Sequence, residues 1–403
     1  MRLIRKKWFA IVLVVALLLT FEAIAPQKGL ITRAIVVGCG LDFHGESIEL
    51  TAQIVAPTKD LQGGNKFAEF SATGNDIAGA IAQLDAHIGV KTSFANALLI
   101  VIGKGALYDD YAPQLDYFMR SDLVPDTITL VASSLSAKET LSQKVTLDGA
   151  ATFHILNIIN RENVRLGQNP TSLKNFVSQT SLLGGCVYLP YLTIGEQSRA
   201  TSTTDHNIIS TTSKAKTQQH YNQETFEIDR QYSVTSTAET QPSDSAPTFV
   251  IDRAILATSR DQLLLEKEQS VAFCLVNQKT SGGVLTYTDG DGKSKDLRLA
   301  SSSCKLEYDK KTDMIIAKVT LIADKNYYAS STNGLPQSVE KAVIDKYSAQ
   351  ILSCFETCKA KNIDGFYLGE KIFTVKGERW KANLTDNWLN QINFSVQINL
   401  KQK

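Results

Sequence analysis

The stretch Arg33–Pro57, RAIVVGCGLDFHGESIELTAQIVAP, decides how the rest of the chain is read. In its second half Ile48, Leu50, Ala52, Ile54 and Ala56 occupy every other position, the period of a strand with one apolar face. The first half reads as a preceding strand. His44-Gly45 stands between them as a tight turn, with the glycine supplying positive φ. A hairpin therefore opens the folded body, and helices and further strands must be found to cover it.

They follow at once. In TGNDIAGAIAQLDAHIG, residues Ile77, Ile81, Leu84 and Ile88 share one helical face, and Gly89 closes the helix. ALLIVIG then reads as a buried strand, with a helix around Leu115 to Arg120 and a strand in TITLVAS. Ser136 and Glu139 have the spacing of a capping box for a short helix. Helical stretches are predicted near 150–163 and 171–182. The order of the strands in a sheet cannot be read from this pattern.

Residues 196–247 change character. They are rich in Ser, Thr and Gln and poor in large apolar side chains, so they bury too little to offset ordering entropy. They read as a polar insert or linker, with Ile208, Ile209, Phe226, Tyr232 and Val234 leaving room for an exposed hairpin. Beyond them, Ser259 and Gln262 suggest a capping box ahead of LLLEKEQSVAFCLV. MIIAKVTLIAD alternates through Ile315, Ala317, Val319, Leu321 and Ala323. INFSVQINL does so through Ile392, Phe394, Val396, Ile398 and Leu400. Between these strands a helix from about 338 to 361 places Val339, Val343, Tyr347, Ile351, Cys354 and Cys358 on one side. The expected fold is α+β and multi-domain, with mixed sheets and packed helices, and with a C-terminal, mostly antiparallel sheet covered by a long helix.

Before the hairpin, Arg2, Arg5, Lys6 and Lys7 precede an apolar run from Trp8. The layout is that of a secretory signal. The uncharged part to Phe21 makes roughly 21 Å of helix, and extension to Ala25 makes roughly 27 Å, against roughly 30 Å of hydrocarbon. Ala23-Ile24-Ala25 has the small-residue form of a cleavage site, but Pro26 fits a protease's extended site poorly, which favours an uncleaved anchor. The expected units are thus 1–25 as signal or anchor, 26–195, the insert 196–247, and 248–403.

The totals exclude several classes. Lys plus Arg (42) nearly equals Asp plus Glu (41), so nothing in the charge balance points to nucleic acid. Six cysteines are too sparse for a disulfide scaffold, and Cys354 and Cys358, four apart on one apolar stripe, read as core. The glycine pairs Gly38/Gly40 and Gly103/Gly105 lack the third small residue of a dinucleotide loop and read as strand-end glycines. No two of the five histidines have zinc-ligand spacing. DGDGKSKD around Asp289 lacks the closing Glu of a calcium loop and reads as a turn. No catalytic residue, metal ligand or cofactor site is expected.

Several segments in order resemble the Ger(x)C family, the C subunits of spore germinant receptors. They are the hairpin itself, GNDIAGAIAQL, ALLIVIGKGAL, LDYFMRSDLVPDTITLVAS with Arg120, and FVIDRAILATSRDQLLLEKEQSVAFCLV. The final match is NIDGFYLGEKIFTVKGERWKANLTDNW, with Asp364, Gly365, Gly369, Glu370, Trp380 and Trp388. The chain departs from the family's usual lipoprotein form, because no Cys occurs before Cys39 and no lipid attachment is expected; the opening segment would itself be the anchor. Asn96 also stands near the place of the family's usual His, and the polar insert is a further difference.

The resemblance implies a non-enzymatic subunit on the outer face of the inner spore membrane, held by residues 8–25. It would assemble with a polytopic transporter-like subunit and a second membrane subunit in the response to nutrients. Within that picture Trp380 and Trp388 are contact anchors or fill the gap before the last strand. Arg120 pairs with an outside acid or within the chain. An exported solute-binding protein and an exported hydrolase are the rival readings.

Overall fold

A computed structural model of the chain describes residues 33–56, 66–105, 112–120, 124–143, 149–166, 170–180, 185–195, 248–258, 261–280, 282–324, 335–378, 380 and 387–402. Residues 1–25, expected to be the anchor, and the whole of the polar insert 196–247 lie outside them.

The opening hairpin forms as its alternation requires. Strands β1 (Arg33–His44) and β2 (Ser47–Ala56) pair antiparallel from His44↔Ser47 inward, and Gly45 takes φ +65° at the turn. Strand β3 (Lys66–Gly74) adds antiparallel to β2, and helix α1 (Ile77–Ile88) returns along the sheet. Asp76 caps α1 through the Gly79 amide, and Gly89 ends it in the left-handed conformation at φ 79°. Strands β4 (Lys91–Ser93), β5 (Leu99–Ile102) and β6 (Thr129–Ser133) then run parallel in sequence with β1, with helix α2 (Ala112–Arg120) between the last two.

Helices α3 (Ala137–Leu141), α4 (Ala151–Leu166) and α5 (Leu173–Thr180) follow, with the short β7 (Thr171–Ser172) against β6. The expected Ser136–Glu139 capping box is present. Strand β8 (Val187–Gly195) joins β6 in parallel; across the insert β9 (Thr248–Ala257) pairs antiparallel with β8, and β10 (Gln262–Leu265) antiparallel with β9. The sheet order is β10-β9-β8-β6-β5-β1-β2-β3, with β4 and β7 as side pairings in a ten-stranded whole. The sequence grouped residues 248–265 with the second unit; their hydrogen bonds lie in the first sheet.

One core packs α1, α2 and α5 on one face of this sheet, and another packs α3 and α4 through Leu99, Val101 and Val131. Gly38 and Gly40 are inside β1 rather than at its end. A Cβ on Gly40 would stand 2.6 Å from the Ala137 Cβ, so the glycine lets α3 lie directly on the strand.

The second sheet has the order β11-β12-β13-β14, formed by Val284–Thr288, Ser294–Asp309, Met314–Ala323 and Asn393–Gln402. Its first two pairings are antiparallel and β13–β14 is parallel. The long helix α7 (Gln337–Ala360) covers it, with all six residues of the expected stripe buried. Helix α6 (Lys267–Asn277) precedes the sheet. Its capping box is Glu266 with Gln269; of the expected pair, Ser259 lies outside the described residues, and Gln262 belongs to β10, so no helix starts there. An α+β architecture of two mixed sheets results.

Candidate functional site at the joint between the sheets

The alternation of β8–β10 decides where the two halves meet. Val187, Leu189, Ile255 and Ala257 enter the core of the first sheet, while Cys186, Tyr188, Ala254 and Leu256 enter the core of the second. Stacked rings cross this seam. Tyr188 on β8 lies 5.1 Å from Phe273 on α6, and Phe273 lies 6.1 Å from Phe366. Phe366 in turn stands 5.6 Å from Phe394 on β14 and 6.5 Å from Phe355 on α7.

The turn that carries Phe366 is held from both sides. Asn277 donates to the Gly365 carbonyl at 2.8 Å, and the Tyr367 hydroxyl donates to the Cys186 carbonyl at 2.9 Å. Gly365 is buried against Cys358 and Leu256, where a Cβ would stand 2.9 and 3.0 Å from their side chains. Asp364 organises the turn. Its carboxylate accepts from the Leu368 and Gly369 amides at 2.8 and 2.7 Å, closing the start of helix α8 (Leu368–Lys376). Glu370 sits in the first turn of the same helix.

Asp364 is 2% exposed. Burial pushes its pKa up to about 7, against the opposing pull of the amides at Gly369, Leu368 and Phe366, and Glu370 adds a repulsion that also raises it. A folded-state pKa above the ordinary 3.8 means that the folded protein binds this proton more tightly than the unfolded chain. Stability from this group is therefore full below about pH 4 and declines as pH rises through about 7. Asp364→Asn is expected to flatten the profile in that window. Urea midpoints across the range check it, and equal slopes for the two proteins would refute the assignment.

A second buried carboxylate works in the same way at the other end of the large sheet. Asp42, 2% exposed at the end of β1, accepts from the Ala137 and Lys138 amides at 2.8 and 3.0 Å. Burial raises its pKa, and the two amides oppose that shift. Above it, Lys138 reaches Glu49 at 2.7 Å.

Of the residues singled out in the sequence, Asp364, Gly369 and Glu370 come together at this joint. Trp380 and Trp388 meet edge to face with ring centroids 5.6 Å apart, half-buried against the second core. Arg120 stands apart at the end of α2, 80% exposed, in an i,i+4 ion pair with Asp116. Asp42 and Phe366 were not singled out. An aspartate inside an otherwise apolar strand is the one signal that marks Asp42 in advance.

All six cysteines are free among the described residues, and burial raises the Cys186 thiol well above its ordinary range. Among the described residues no three His, Cys, Asp or Glu side chains cluster to hold a metal. A surface recess of about 500 Å³ lies against the first turns of α7, lined by Gln337, Ser338, Glu340, Lys341, Ile344 and Asp345. What the fold and joint define is an α+β body with, among the described residues, two buried carboxylates, each spent on capping a helix.

The comparisons with known proteins are specific. Residues 27–194 match the family model described as spore germination protein N-terminal domain. Residues 260–403 match the one described as spore germination B3/GerAC like, C-terminal. The chain belongs to the Ger(x)C family of spore germination proteins. The crystal structure of the GerBC protein aligns with 91% of this chain and 96% of its own, at 12% identity and a TM-score of 0.49. No curated protein sequence matches.

Proposed function

We propose that the chain is a non-enzymatic, membrane-associated subunit of a spore germinant receptor and takes part in the nutrient-triggered germination response. The observation that carries this reading is the pair of family matches, in order, over residues 27–194 and 260–403. In it the body stands on the outer face of the inner spore membrane. Its partners are a polytopic transporter-like subunit and a second membrane subunit, and residues 8–25 are its tether. Among the described residues no helix is long and apolar enough to cross a membrane, and the tether lies outside them.

The division into 26–195 and 248–403 belongs to the same proposal, with β9 and β10 contributed by the second unit to the first sheet. Glu370, Trp380 and Trp388 are proposed to act through that architecture, as structural or interface residues, and Arg120 as an exposed contact.

The test is genetic and biochemical together. Spores lacking the chain are expected to form normally and to lose most of their nutrient response, and the tagged chain to be recovered from spore membranes with two membrane subunits. Undiminished germination on nutrients, or recovery of the chain alone in the soluble fraction, would overturn the reading.

A further inference from the structure

Strand β1 starts at one end of the large sheet, and two exposed cations stand there. Arg33 pairs in parallel register with Lys91 at the start of β4, so the two cations are neighbours across the sheet. Both are exposed, and neither makes an ion pair with another described residue. Val90, 39% exposed, stands next to Lys91 in the turn that follows α1. The carboxylate nearest in sequence, Asp85, is taken up at 2.7 Å by the Thr92 amide and hydroxyl.

Chain length sets how far this end can lie from the apolar segment. Between Ala25 and Arg33 stand the seven residues 26–32, so the two ends are at most about 28 Å apart when the connection is fully extended. The turn at the far end of β1, with Glu46 exposed, is about 36 Å farther along the strand.

We propose that this end of the large sheet is a membrane-docking face, with Arg33 and Lys91 against the phosphates of an anionic phospholipid surface and Val90 at the headgroup boundary. The proposal rests on the membrane-associated reading above and adds the face that meets the bilayer. A basic residue near an anionic membrane favours contact by about fivefold, so this pair favours it roughly 30-fold over an uncharged one. Short-range screening confines the effect to groups within about 10 Å of the surface, which the short connection allows. A tethered body is thereby held with its strands pointing away from the bilayer, and the Glu46 turn is kept distal.

The experiment uses the full chain, reconstituted in vesicles of equal parts phosphatidylglycerol and phosphatidylcholine. An environment-sensitive fluorophore is placed at Val90→Cys or Glu46→Cys in a Cys304→Ser background, since Cys304 is the half-buried native thiol. The protein is expected to float with the vesicles, and a headgroup spin label to quench the probe at position 90 and not at 46. Arg33→Glu combined with Lys91→Glu is expected to float equally and lose the quenching at 90. A floated protein with position 90 no more quenched than 46 would overturn the docking face and leave the tether intact. Unchanged quenching in the doubly charge-reversed protein, or in pure phosphatidylcholine, would overturn the anionic contact. Failure of the unmodified chain to float would overturn both the tether and the face.

Discussion

Replacing Gly103 by alanine is expected to destabilise the large sheet by about 3–5 kcal/mol, the overpacking of a tight site together with lost hydrogen bonds to a buried carboxylate. The glycine follows β5 at the point where Asp42 reaches α3. A Cβ there would overlap Asp42 Oδ1 and stand 2.6 Å from the Ala137 amide nitrogen. Neither neighbour can yield cheaply. The nitrogen is backbone, and the carboxylate holds the amides of Ala137 and Lys138. Displacing Asp42 would leave those donors poorly paired. At roughly 2–4 °C per kcal/mol for a domain of this size, the melting temperature should fall by about 6–20 °C. Gly290→Ala, with nothing within 4 Å of the added carbon, should leave it unchanged. A melting curve for Gly103→Ala that overlays the parent's would show that the helix does not rest on the strand as described.

Phe366→Ala should have a comparable cost and a different signature. The ring is 1% exposed and stacks on Phe273, Phe355 and Phe394, so its loss leaves a cavity costing about 3–5 kcal/mol. The position of the cavity matters more than its size. Phe366 lies between the ring pair Tyr188–Phe273, which reaches the first sheet, and Phe355–Phe394, which belongs to the second. Weakening that link lets the second sheet open before the first. In urea the fluorescence of Trp380 and Trp388, which sit on the second core, should shift to lower denaturant than the far-ultraviolet circular dichroism. Phe366→Leu should fall between. If the two probes still coincide at the parent's midpoint, the ring does not couple the sheets.

Both effects sit where local pattern says little. Gly103 reads in the sequence as one more glycine after a strand, because the helix it admits comes from more than thirty residues later. Phe366 lies in a turn, outside any period of two or 3.6, and its partners come from α6, α7 and β14. The helix start misplaced at Gln262 has the same origin. Gln262–Leu265 is short and apolar enough to pass for the start of a helix, and its strand state is set by pairing with Ala254–Ala257. By contrast, Asp364, Gly369 and Glu370 were marked in advance through the family resemblance, and the structure adds what the aspartate holds.

What the sequence determined by itself is carried by short-range periodicity and, where no strand pairing overrides it, by capping. That covers the opening hairpin with its glycine turn, α1 with its closing Gly89, the capping box at Ser136, the α7 stripe and the alternation of β13 and β14. These are decided by side-chain direction and backbone donors within a few residues, which any sufficiently long pattern records. Only the tertiary structure decided the strand order, the membership of β9 and β10 in the large sheet, and the meeting of two cores at Phe366. The physical reason is that a strand's hydrogen-bonding edges are the same whatever its side chains. Its neighbour is chosen by burial summed over the whole molecule, and no local stretch contains that sum.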